Sequence, residues 1–232
     1  LLLAAFEKTP ALGFVAGQAI LVDERGRALG EVFDRGLPDD TSELLLGNPL
    51  HVGSVLLRRE WQERVGLFDE TLRSYEDWDM WLRLAKAGCM MGWVPHPVSL
   101  YRFHVAQMTR LGEQMTTATF AVLEKIYKDP ELPELWQSRR GAAYSRGLLR
   151  AAAQAYSAGD FSRGQQCISE AVRLSPQLCS DNAEPLARLI AGWANHVKTT
   201  EPLTFLTGIY EHLPEELATL RGRRRRDLAR QA

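Results

Sequence analysis

The chain has 232 residues, 45% of them apolar and 25% charged, the balance of a folded globular protein and not of a disordered, collagen-like or low-complexity one. Its 28 Lys plus Arg against 29 Asp plus Glu leave a formal net charge of −1, which argues against a broadly basic nucleic-acid binder. Three cysteines, Cys89, Cys167 and Cys179, form no CxxC pair, and no apolar run approaches the roughly 20 residues needed to span a bilayer, so a reducing, cytoplasmic setting is expected.

Leu1 to Glu7 reads as the end of a helix stopped at Thr9-Pro10; it is too short for a signal-peptide core and lacks both a basic lead and an initiator Met. Gly13 to Asp23, rich in Phe, Val and Ile, suits a strand, with a polar turn and a second extended piece running to Phe33. After a loop over Gly36–Ser42, Val52–Leu57 suits another strand and Arg58–Val65 a short helix closed by Gly66. Ser74 to Gly88 gives the clearest helix signal. Ser74 is the expected N-cap, with Asp77 at capping-box spacing, and Trp78, Trp81, Leu82 and Ala85 make one apolar stripe. Met90–Val94 and Val98–Phe103 read as two strands broken at Pro95-His96-Pro97.

Beyond about Thr109 the pattern turns wholly helical, over Thr116–Lys128, Leu135–Ser157, Phe161–Leu174, Glu184–Lys198 and Leu203–Leu213. The segment from Ala155 to Phe161, with Ala171 and Pro176 after it, resembles one tetratricopeptide helical hairpin. The expected organisation is therefore an α/β region over residues 1–115 and an all-α region over 116–232 that ends in the basic run Arg221–Arg226.

The most specific stretch runs from Asn48 to Arg110. It reads Asn48-Pro49, a strand ending in Arg58-Arg59, the turn Gly66-Leu67-Phe68-Asp69-Glu70, Glu76-Asp77-Trp78-Asp79 with Arg83, and Tyr101-Arg102-Phe103-His104. In this order it resembles the acceptor-side half of family 2 glycosyltransferases, over about Leu1 to Arg110. The resemblance implies part of a GT-A fold and inverting transfer of a sugar from a nucleotide-diphosphate sugar to an acceptor hydroxyl on a glycan or other molecule. It matches Asp77 to the catalytic base, with Glu76 orienting it or touching the acceptor. Asn48, His51 and Arg102 fall among substrate-binding positions, and His104 matches a residue that completes a metal site or approaches the diphosphate. The resemblance implies Mg2+ or Mn2+. The family's donor half, with its Asp-x-Asp metal ligands, has no counterpart here, since Asp39-Asp40 lies in another context. The chain is thus expected to be an N-terminally truncated piece, inactive alone.

The chemistry is physically reasonable. A carboxylate on rigid structure can accept the acceptor's proton as its oxygen attacks. Local sequence alone leaves a plainer alternative, since acids in a helix's first turn often only complement its dipole. Other readings concern the rest of the chain. The helical region could be a protein-interaction module, and the Arg221–Arg226 run could hold the protein at an anionic inner membrane face.

Overall fold

A computed structural model describes residues 1–103, 112–194, 201–218 and 220. The described chain divides into two compact units, Leu1–Arg140 and Gly141–Ala232. The first is mixed α/β and the second helical.

In the first unit, α1 (Leu2–Lys8) leads into β1 (Phe14–Val22), the centre of a four-stranded mixed sheet. One edge of β1 takes two antiparallel partners in succession: β3 (Val55–Leu57) beside Phe14–Ala16, then β2 (Ala28–Phe33) beside Ala19–Val22. The other edge takes β4 (Met91–Arg102), parallel along its full length. Successive side chains of a strand point to opposite faces, so a strand covered on both sides must be apolar at every position. β1 follows this at every position but Gln18, whose amide donates to Asp34 Oδ2 at 2.7 Å. Val15 packs against Phe6 and Leu12 under α1. Phe14 and Ala16 face the opposite way, into a core with Met80, Trp81 and Leu84 of α3 (Glu76–Lys86).

The expected break at Pro95-His96-Pro97 is instead a bulge within one strand. Gly17 pairs with Val94, Gln18 with Pro97 and Ala19 with Ser99, so the ladder resumes beyond it. Two prolines bring no N–H to be left unpaired there, and Gly17 leaves the space: a Cβ would come within 2.9 Å of Val98 and 3.2 Å of the His96 carbonyl.

α2 (Arg59–Val65) ends at Gly66, whose φ of 86° suits glycine. Ser74 is not the N-cap of α3. Its hydroxyl donates to the Arg73 carbonyl, and Tyr75, at φ 64°, turns the chain so that the helix opens on Glu76 and Asp77. The expected stripe is buried, with Trp78 and Trp81 among the most enclosed side chains. α4 (Gly112–Tyr127) and α5 (Glu134–Ser138) complete this unit.

In the second unit, α6 (Arg140–Ser157) and α7 (Phe161–Leu174) form a hairpin turned at Gly159 and capped by Asp160, whose carboxylate accepts from Arg163 N at 3.0 Å. Close approach of the pair is permitted by glycine: a Cβ at Gly164 would strike the Tyr156 ring at 2.6 Å, and one at Gly141 the Leu174 carbonyl at 2.5 Å. α8 (Ser180–Ala191) opens on a left-handed turn at Asp181–Ala183, so its regular part begins at Glu184. With α9 (Pro202–Glu211) it closes a core of Tyr156, Ile168, Leu186, Ile190 and Ile209. No helix among the described residues is long and apolar enough to cross a membrane.

Candidate functional site

Three local features bring the site together. The 3-10 turn Thr41–Leu46 buries Leu44 and Leu45, and the Leu44 carbonyl accepts the indole N–H of Trp78 at 2.7 Å. The chain then passes Asn48 and re-enters the core at Leu50. Across from this loop, the left-handed Tyr75 packs its ring on Trp78, with centroids 5.3 Å apart, and launches α3.

The result is one polar junction between the loop and the helix start. Asp77 Oδ2 accepts from Asn48 Nδ2 at 2.9 Å, and Asp77 Oδ1 accepts from Trp78 N at 2.7 Å. Asn48 Oδ1 in turn accepts from Leu50 N at 3.0 Å. No cation pairs with Asp77 among the described residues. Burial raises the proton affinity of its carboxyl, outweighing the Trp78 and Asn48 donors that lower it, and the neighbouring charge of Glu76 adds to the rise. The group titrates at about 6.

The other predicted positions lie apart from this junction or make other contacts. The His51 ring stacks on Tyr101 with centroids 4.4 Å apart and lies edge-on to Phe33. Its Nδ1 is 3.3 Å from both Ser54 Oγ and Ser99 Oγ, which are themselves 2.6 Å apart. Burial lowers the proton affinity of this imidazole. Arg102 is exposed and reaches the Glu24 carbonyl at 3.4 Å. His104 and the Arg221–Arg226 run lie outside the described residues.

Two further acids of the motif, Asp69 and Asp79, are tied to cations. Asp79, almost fully buried, pairs with Arg83 and Lys125, each at 2.9 Å. Arg83 also donates to the carbonyls of Val65, Gly66 and Leu67, clamping the turn after α2. Asp69 accepts from the Thr71 hydroxyl and from Lys125, both at 2.6 Å, and the Lys125 ammonium and Thr71 donors hold its carboxyl well below the usual range. Asp40 caps the 3-10 turn through Ser42 N and pairs with Arg139. No group of three or more His, Cys, Asp or Glu side chains that could hold a metal ion occurs among the described residues.

Sequence reading passes over Tyr75 and Lys125. A tyrosine in the left-handed region leaves no trace in residue spacing, and Lys125 lies 56 positions from Asp69. A groove alongside is walled by Thr71, Arg73, Glu113, Gln114 and Thr117, and Gln114 is anchored there to Ser74 Oγ at 2.8 Å. Compared with protein-family models, with curated proteins and with solved structures, the chain matches none.

Proposed function

We propose that this chain supplies the acceptor side of an inverting glycosyl transfer, with Asp77 as the general base. The reading rests on the similarity of Leu1–Arg110 to the family 2 glycosyltransferases. A mixed α/β layer is compatible with the second half of a GT-A fold. One observation carries the chemistry: the Asp77 carboxyl is held by two N–H donors at a helix start, without a cation among the described residues, and titrates at about 6. Such a group is ionised at neutral pH yet keeps more proton affinity than an ordinary aspartate, which suits a base.

In this reading an acceptor hydroxyl donates to a free lone pair of Asp77. As its oxygen bonds to the sugar's anomeric carbon, the proton passes to the carboxylate. The bond from that carbon to the diphosphate oxygen breaks on the opposite face, and the diphosphate leaves with the electron pair. Attack opposite the leaving group inverts the anomeric centre. Glu76, next in the chain, adds negative charge that strengthens the base. The nucleotide, the diphosphate and the Mg2+ or Mn2+ that the resemblance implies are assigned to a donor-binding half that these residues do not supply, and the chain alone is expected to be inactive.

The test is transfer from nucleotide-diphosphate sugars by an enzyme that joins this chain to such a half. Asp77→Asn should lower turnover by about a hundredfold or more, with donor binding and melting temperature held. Unchanged turnover rejects the assignment.

A second reading is favoured by the helical unit, where the α6–α7 hairpin belongs to a core built wholly within Gly141–Ala232. Here that unit docks a protein partner on a degenerate transferase scaffold. Partner binding untouched by Asp77→Asn, with no transfer in any assembly, would favour it.

A further inference from the structure

We infer that Asn48 is a positioning residue for Asp77, its amide locked so that an N–H, and never the carbonyl oxygen, meets the carboxylate. The inference deepens the reading of Asp77 as a base and rests on it for its meaning, though not for its test.

The lock follows from the two bonds of one planar amide. Asn48 Oδ1 accepts from Leu50 N at 3.0 Å while Nδ2 donates to Asp77 Oδ2 at 2.9 Å. Turning the amide over would set its NH2 against the Leu50 N–H and its oxygen against a carboxylate, replacing two attractions by two repulsions. Pro49 between them has no N–H, so Leu50 offers the first backbone donor after Asn48. The loop cannot drift from the helix. Leu50 is buried in the core with Met80 and Trp81 of α3, and the Leu44 carbonyl is tied to the Trp78 indole. Asn48 therefore sits between two anchors on the helix that carries Asp77.

The choice of an amide has a chemical consequence. An arginine or lysine here would orient Asp77 equally well, but a cation at that range typically lowers a carboxyl's pKa by about 1–3 units and would weaken the base. A neutral donor fixes the side chain and leaves most of its proton affinity in place. Glu76 is the charged neighbour acting on Asp77, and the donors acting on it are neutral: the Asn48 amide, the Trp78 N–H and its own backbone N–H.

The test is a 13C NMR titration of the Asp77 carboxyl carbon in this chain, assigned by its loss in Asp77→Asn. Asn48→Asp keeps an oxygen for the Leu50 N–H and nearly the same shape, but turns a carboxylate toward Asp77. The Asp77 midpoint should rise by about one unit or more. Asn48→Ser keeps a hydroxyl acceptor for the Leu50 N–H and, being shorter, loses the amide N–H that reaches Asp77, so a smaller rise is expected; it carries the test if Asn48→Asp fails to fold. Midpoints in the folded variants that coincide with that of the parent chain overturn the inference. The two readings separate cleanly. A midpoint that moves while Asp77→Asn leaves turnover intact keeps the positioning role and removes the base. A midpoint that stays while Asp77→Asn is inactive removes the positioning role and keeps the base.

Discussion

Asp77 and Asp79 stand two residues apart in the first turn of α3, and their surroundings differ in kind. The Asp79 side is a closed ion network: two cations hold a nearly buried carboxylate, and one of them clamps the Gly66 turn through three carbonyls. The Asp77 side has amide donors only, and burial raises its proton affinity. A carboxylate matched by cations is architecture. One taken from water and left with neutral donors carries a standing cost to folding, which marks it as a candidate for chemistry.

The sharpest way to break this comparison is to remove the network's centre. Asp79→Asn leaves Arg83 and Lys125 without their shared partner and should lower unfolding free energy by about 3 kcal/mol in urea, Lys125 being partly open to solvent and its share screened. A loss under about 1 kcal/mol would put the two carboxylates in one class.

Next in size is the pH dependence on the Asp77 side. Its folded pKa, about 6, lies above the ordinary 3.8, so ionisation opposes folding. The cost is fully present above about pH 7, declines as pH falls through 6 and is gone below the ordinary value. Allowing for partial exposure, the unfolding free energy of the parent chain measured against Asp77→Asn should improve by about 2 kcal/mol between pH 8 and pH 4. A flat difference across that range would mean that the carboxyl is not desolvated. The smallest effect concerns the clamp. Gly66→Ala forces a side chain onto a φ of 86° and should cost about 1–2 kcal/mol in thermal unfolding, with the Asp77 titration unmoved.

Much of the fold was legible because it depends on short-range periodicity. The Trp78, Trp81, Leu82 and Ala85 stripe is buried as its spacing predicts, and Gly66 and Gly88 both take the positive φ expected of helix stops. What escaped depends on partners distant in the chain. Ser74 has the chemistry of an N-cap, but Gln114, 40 positions on, takes its hydroxyl as a partner. The Asn48–Asp77 bond spans 29 positions and needs the Leu44–Trp78 and Leu50 anchors to exist. Glu76, Asp77 and Asp79 look alike as first-turn acids. Beside the local Asp79–Arg83 pair, the arrival of Lys125 from α4 at Asp79 and of Asn48 from the loop at Asp77 makes the two aspartates differ.

The bulge in β4 also decides which residues meet His51. Had the strand kept the alignment that sets Val94 beside Gly17, Ala19 and Leu21 would stand opposite His96 and Val98; instead they stand opposite Ser99 and Tyr101, the side chains that touch the imidazole. The surplus length works as an indexing device: a single insertion or deletion there could deal a new pair of side chains to the histidine while the rest of the ladder stays zipped.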